Sequence, residues 1–205
     1  MIIDTFTTLR RRLLAASLLG LALGPAAAAP PTASQADAVW QRLGQSHWIA
    51  DGRNAAPRTV YVFTDPNCPY CNKLWADARP WVDGGKVQLR HVIVGILTPT
   101  SAGKAAALLS RSDPVAALAA YERAHVPAIA QALASGRPRP LDDDGLKPLQ
   151  DIPAAVQARL DANTELMAAL GVQATPAVIW RDARGELHAL QGVPDRELTR
   201  VLGPR

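Results

Sequence analysis

The chain has 205 residues, 48% of them hydrophobic, which is enough to bury one core without disulfide or metal staples and excludes general disorder. Its formal net charge is +4, and three arginines and one aspartate fall in residues 1–29, so the remainder carries only +2. With the basic residues unclustered, that charge excludes nucleic acid as a partner.

Residues 1–29 read as a signal peptide. Arg10, Arg11 and Arg12 form a positive n-region, residues 13–23 an apolar h-region, and Pro25 with the alanines at 26–29 a small-residue cleavage site. The apolar run is well short of the roughly 20 residues that span a bilayer. The arginines ahead of Leu13 and Leu14 loosely resemble a twin-arginine signal, but Sec export is the commoner route and the one expected. The expected compartment is the periplasm.

Residues 30–57 read as an N-terminal tail and a short linker helix. Val39, Trp40 and Leu43 lie at helical spacing within 36–48, and 51–57 is a polar loop. Thr59-Val60-Tyr61-Val62-Phe63 is β-branched and aromatic between Pro57 and Asp65-Pro66, which predicts a buried strand. Asn67 stands where an N-cap is expected, and Pro69 fits a first helical turn. The helix running on from Cys68 carries Leu74, Trp75 and Ala78 and should kink or end at Pro80. Gly84-Gly85 is a turn and 87–94 a second strand, apolar on both faces.

The middle reads as helical. Residues 101–109 are rich in Ala and Leu, and Asp113-Pro114 opens a helix reaching about His125. Lys104, Arg111 and Arg123 read as a solvated helix face. Residues 135–151 hold Pro, Gly and Asp and read as loop; 153–170 is a helix closed by Gly171. A strand at 177–180, a turn at 181–185, a strand at 186–190 and a helix at 195–202 complete the chain. The order βαβ, a helical block, then ββα with a preceding helix is an α/β thioredoxin-like fold. Its catalytic domain would span 58–205, with a helical insertion at about 100–152.

The two cysteines are Cys68 and Cys71, and the loop they would close is too small for a disulfide to add much chain-entropy stabilisation. That favours a chemical role. Cys68-Pro69-Tyr70-Cys71 follows a strand and opens a helix, where unpaired N–H groups and the helix dipole favour a thiolate. Cys68 is then the nucleophile, and Cys71, one turn on, resolves a mixed disulfide. Pro69 and Tyr70 help set the redox poise. A zinc site lacks a second CxxC, and His47, His91, His125 and His188 show no finger-like spacing, so no metal is expected. No cofactor is expected beyond the Cys68–Cys71 disulfide itself.

Thr175-Pro176 precedes the last two strands, where thioredoxin folds place a cis-proline facing the cysteines. A cis bond there would keep metal from the thiols and expose a main-chain edge for a substrate peptide. Trp40, Trp48, Trp75, Trp81 and Trp180 read first as packing residues.

The stretch Tyr61-Val62-Phe63-Thr64-Asp65-Pro66-Asn67-Cys68-Pro69-Tyr70-Cys71, with Ser46-His47-Trp48 before it, resembles the periplasmic DsbC/DsbG thiol–disulfide interchange family. The run from Ala78 through Trp81 and Gly84-Gly85 to Arg90 is similar to the DsbG branch. Further matches are Asp113-Pro114, Leu170-Gly171, Thr175-Pro176-Ala177 and Gly192-Val193-Pro194-Asp195. The resemblance implies a nucleophilic Cys68, a resolving Cys71 and a cis-Pro176 whose neighbour Thr175 can hydrogen-bond the nucleophilic sulfur. It implies exported cysteine-containing proteins as substrates, oxidised at a disulfide or a sulfenic acid, and a membrane thiol reductant such as a DsbD-like protein. The family's N-terminal dimerisation domain has no counterpart in the sequence before the first strand, so a monomer is expected. Val62 occupies the position six before the first cysteine where thioredoxins keep a buried acid, which leaves the proton acceptor for Cys71 unnamed. Two other readings stay open: a DsbA-like monomeric dithiol oxidase, and a non-catalytic copper-binding protein that uses the thiols as ligands.

Overall fold

The computed structural model describes residues 33–205. The signal peptide expected at 1–29 and the start of the tail lie outside them. Helix α1 (Ala33–Gln45) is followed by strand β1 (Trp48–Asp51), then β2 (Arg58–Thr64), α2 (Pro69–Asp77), α3 (Arg79–Val82) and β3 (Val87–Ile93). Helices α4 (Ser101–Leu109), α5 (Pro114–Ala134) and α6 (Ala154–Ala169) come next. Strands β4 (Ala177–Arg181) and β5 (Leu187–Gln191), a 3-10 turn (Asp195–Glu197) and α7 (Leu198–Leu202) end the fold.

The five strands form one sheet in the order β1-β3-β2-β4-β5. Strands β2 and β3 are parallel, with Val62 opposite His91, and the other pairs are antiparallel. The apolar run of β2 explains its central place, because both of its faces are covered. Val60 and Val62 join Leu74, Trp81, Val178 and Leu202 on one side, against α2, α3 and α7. Tyr61 and Phe63 join Leu43, Leu166, Met167 and Ile179 on the other, against α1 and α6. A third cluster, including Ile93, Leu108, Leu118, Tyr121, Leu141 and Leu160, packs α4, α5 and the following loop onto the β3 side.

Several local expectations are corrected. The first helix ends at Gln45, and Trp48–Asp51 becomes a strand antiparallel to β3, so Asp51 is buried rather than the start of a polar loop. Its four residues are too few to show a strand period. Helix α5 runs nine residues beyond His125 and carries Pro127 inside it. An interior proline costs about 3 kcal/mol, and burial of Leu118, Tyr121, Glu122, His125 and Ile129 along one stripe offsets it. Asn67 is not the cap of α2; Cys68 is. Nor is Lys104 on a solvated face, since its side chain is 0% exposed.

Candidate active site around Cys68 and Cys71

Strand β2 delivers the chain to a tight turn at Asp65-Pro66-Asn67, and the turn is held from below by buried polar groups. Asp65 Oδ1 accepts from the Asn67 amide at 2.8 Å and the Ser101 hydroxyl at 2.8 Å. Its Oδ2 accepts from the Ile96 and Leu97 amides at 2.7 and 2.9 Å. Four donors satisfy this buried carboxylate and tie the turn to the loop after β3. Asn67 Nδ2 donates to the hydroxyls of Thr98, Thr100 and Ser101, and its Oδ1 accepts from Lys104 Nζ at 2.7 Å. Lys104 also donates to Tyr121 Oη at 3.2 Å, to the Leu141 carbonyl at 3.0 Å and to the Asp142 carbonyl, and pairs with Asp143 at 2.9 Å. The buried ammonium thus joins the active-site turn to α5 and the loop behind it. Burial of a lysine demands such partners, and they come from segments far apart in sequence.

Cys68 sits at the N-cap of α2 with extended backbone, and its sulfur accepts from the Cys71 amide at 3.3 Å. Pro69 occupies the first helical turn, where its missing N–H costs nothing. Both cysteines are free thiols. As a thiol, Cys68 donates to the Thr175 carbonyl at 3.3 Å. The Thr175–Pro176 bond is cis. That loop is held by Gln191 Oε1, which accepts from the Gln173 and Ala174 amides, and by the Gly192 amide donating to the Pro176 carbonyl at 2.8 Å. Tyr70, half exposed, lines a groove of about 480 Å³ with Lys73, Thr175, Pro176, Val193 and Pro194. All six residues singled out from the sequence, Cys68, Pro69, Tyr70, Cys71, Thr175 and Pro176, therefore meet in one place.

The electrostatics separate the two thiols. A hydrogen bond from the Cys71 thiol is the largest influence on Cys68 and lowers its pKa; burial opposes it. The Thr175 hydroxyl and the amides of Cys71 and Tyr70 lower it further, to about 7. Thr175 Oγ1 is buried with no hydrogen-bond partner, so its O–H is available to the ionised sulfur. Cys71 moves the other way. Burial pushes its thiol well up, and the neighbouring Cys68 and the charge of Glu122 push it further. One cysteine is poised as the thiolate and the other keeps its proton.

Beneath the dithiol lie groups the sequence reading missed. Glu122 on α5 is 1% exposed. Asn72, the residue after Cys71, donates from Nδ2 to the Glu122 carbonyl and to its Oε2, both at 2.7 Å. Burial raises the Glu122 carboxyl to about 7; the Asn72 bond works against that rise. Asp51 pairs with Arg79, and His91 Nε2 is 3.6 Å from the same carboxylate. Burial alone would raise Asp51, but His91 and Arg79 outweigh it and hold the carboxyl at about 2. A glutamate on the apolar stripe of α5 was the one signal that could have found Glu122. Asp182, Glu186 and His188 bring three ligand-type atoms within 4.8 Å at the β4–β5 turn. Arg184 pairs with Glu186 at 2.8 Å and approaches Asp182 at 3.6 Å, so a cation of the chain already stands at that group.

Among the described residues no helix is long and apolar enough to cross a membrane. The chain is 48% identical over 168 residues to the thiol:disulfide interchange protein DsbG of Pseudomonas aeruginosa, covering 82% of this chain and 59% of that protein. It is 39% identical over 164 residues to DsbG of Escherichia coli, covering 80% and 60%. The chain thus spans about three fifths of the length of these curated relatives. Among solved structures, the catalytic domain of Proteus mirabilis ScsC superposes with a TM-score of 0.57 at 21% identity, over 82% of this chain and 95% of that one. The family described as thioredoxin-like domains matches residues 49–203. With a strand–CPYC–helix unit, a cis-proline loop facing it and a five-stranded mixed sheet, this chain belongs to the family of thioredoxin-like domains.

Proposed function

We propose that the chain is a thiol–disulfide oxidoreductase that reduces or isomerises disulfides in exported cysteine-containing proteins. The Cys68 thiolate attacks one sulfur of a substrate disulfide, forming a mixed disulfide while the other substrate sulfur leaves as a thiolate. Cys71 then loses its proton and attacks the Cys68 sulfur. The Cys68–Cys71 disulfide forms, the second substrate sulfur leaves, and two electrons have passed to the substrate. A dithiol reductant, such as a DsbD-like membrane protein, resets the pair, and no other cofactor takes part. Pro69 and Tyr70 tune the couple, while Thr175 and Pro176 present the backbone edge of the groove to the substrate chain. Residues 1–29 direct export to the periplasm by the Sec route. The catalytic domain comprises 58–205 together with β1, which pairs with β3 in the same sheet, and α4, α5 and the loop after them are inserted between its halves.

One observation carries this reading: the Cys68 sulfur caps the N-terminus of α2, accepts from the Cys71 amide at 3.3 Å and lies 3.3 Å from the Thr175 carbonyl of the cis Thr175–Pro176 loop. With Cys68 held below its ordinary range and Cys71 pushed above it, Cys68 is the attacking thiolate and Cys71 the resolving thiol. Cys68→Ser should abolish disulfide reduction, and Cys71→Ser should accumulate the mixed disulfide on Cys68. A Cys68→Ser protein that still reduces disulfides overturns the assignment. Direction is read separately, by acid quenching and thiol alkylation of the protein in cells. A mostly reduced pair supports the reductase, and a mostly oxidised pair makes it a dithiol oxidase.

A further inference from the structure

Every exchange cycle must remove a proton from Cys71, the buried thiol whose own pKa lies well above its ordinary value. Strand β2 offers no acid for this, because Val62 stands on it where a carboxyl would face the cysteines, packed in the core at 1% exposure. Helix α5 does. We propose that Glu122 takes up the proton that Cys71 releases when it resolves the mixed disulfide, and that Asn72 holds the carboxyl in place for it. This rests on the reading of Cys68 and Cys71 as an exchange pair.

The geometry is specific. Glu122 is 1% exposed and makes no ion pair with any described residue, although a buried acid without a cation is costly. Its side chain is fixed by Asn72 Nδ2, which belongs to the residue directly after Cys71 and also clasps the Glu122 carbonyl. Asn72 therefore couples the first turn of α2 to α5 at the level of the resolving cysteine. Asn72 Oδ1 is itself buried with no partner, so the amide is committed to orienting the acid rather than to a network of its own. The charge of Glu122 is felt at Cys71, and the charge of Cys68 is felt at Glu122.

The groups facing Glu122 are few. From α2 they are Cys68 and Cys71, from β1 Asp51 and from α3 Arg79, which is occupied by Asp51. His91 on β3 lies on the far side of Asp51, at 3.6 Å from it. On α5 itself, Tyr121 and His125 turn to Lys104 and Asp142, and Arg123 lies over the Trp75 ring at 5.9 Å. No cation in this set fixes Glu122 in the ionised state.

The chemistry follows the charge. In the reduced protein the Cys68 thiolate disfavours the Glu122 carboxylate. In the mixed disulfide Cys68 is neutral, so Glu122 ionises more readily at the moment Cys71 needs a base. The step then balances: Cys71 S–H gives its proton to the Glu122 carboxylate, the Cys71–Cys68 S–S bond forms, and the Cys68–substrate S–S bond breaks. The substrate sulfur leaves with the electron pair as a thiolate. Glu122 afterwards returns the proton to solvent.

The test isolates the resolving step. A small aromatic thiol is coupled to Cys68 as a mixed disulfide, and its release is followed across pH in the wild type, Glu122→Gln and Asn72→Leu. Glu122→Gln keeps the side-chain volume and an acceptor for Asn72. The wild-type release rate should rise to a plateau with a midpoint below about 7, because Glu122 no longer feels the Cys68 charge in the mixed disulfide. In Glu122→Gln it should fall about a hundredfold at neutral pH and climb in proportion to hydroxide instead. Attack by Cys68 on a fresh disulfide should be retained, because removing a neighbouring negative charge eases thiolate formation. Asn72→Leu loses a bond that favours the carboxylate, so its plateau should move to higher pH. A Glu122→Gln protein with the wild-type release profile, or an Asn72→Leu profile unmoved in pH, overturns the proposal and leaves the exchange pair standing. Loss of both attack and release in a folded Glu122→Gln also overturns it, since the role assigned is confined to resolution. Failure of the exchange reading itself shows elsewhere, as disulfide reduction surviving Cys68→Ser.

Discussion

The reactivity of Cys68 comes from a handful of oriented donors, and each makes a separate contribution. The Cys71 thiol, the unpartnered Thr175 hydroxyl and two helix-terminal amides all favour its thiolate against the opposing effect of burial. A hydrogen bond to a charged group contributes about 1.5–3 kcal/mol. Thr175→Val removes one donor and keeps the shape, so the ionisation constant of Cys68 should fall about tenfold. The ultraviolet absorbance of the thiolate against pH measures this directly, and a midpoint unchanged from about 7 would show that the hydroxyl does not reach the sulfur. Lys104 is the second lesson at this scale. A lysine on an Ala-rich helix reads as solvated, yet here it is buried among Asn67, Tyr121 and two carbonyls of the 135–153 loop. Its partners come from three separate segments, and no local pattern announces them.

Among the elements, β1 and α5 departed furthest from the sequence reading. Strand β1 is short, but its alternation of buried Ile49 and Asp51 is fixed by pairing with β3. Its entry is clamped by Asn163 of α6. That side chain accepts from the His47 amide at 3.0 Å and donates to the His47 and Ile93 carbonyls, both at 2.8 Å. One buried amide thus mimics a strand partner for the start of β1 and the end of β3. Asn163→Ala deletes three hydrogen bonds and should destabilise the protein by about 2–3 kcal/mol. A urea midpoint unchanged by Asn163→Ala would mean that β1 does not depend on the clamp. Helix α5 persists through Pro127 because its stripe of buried residues continues to Ile129, and the same stripe carries Glu122.

At the scale of the molecule, the redox state and the stability are linked through protons. Folded Cys68 titrates at about 7, below its ordinary value of 9.0. Between those pH values the unfolded reduced chain binds more protons than the folded one, so stability rises with pH across that window. The contribution is complete only above about 9 and is lost as pH falls through about 7. The oxidised protein has no thiols to titrate. Reduced protein should therefore gain on the order of 1–2 kcal/mol relative to oxidised protein between pH 7 and 9, the raised Cys71 thiol offsetting part of the Cys68 gain as pH nears 9. Denaturant unfolding of both forms at the two pH values tests this, and parallel behaviour would contradict the lowered Cys68 pKa.

The chain's own letters determined the central strand, because an apolar run such as Thr59 to Phe63 can be satisfied only by burial on both faces. They also marked the candidate exchange site, because a CxxC between strand and helix and a Thr-Pro before a later strand are local patterns, and the packing then brings Thr175 to Cys68. Tertiary structure alone decided which charged residues are buried and what they do there. Glu122, Lys104 and Asp51 look like surface residues in sequence. Their burial depends on a donor at Asn72, an acceptor at Asn67 and a counter-charge at Arg79 that only the packing of α2, α3, α4 and α5 against the sheet brings within reach.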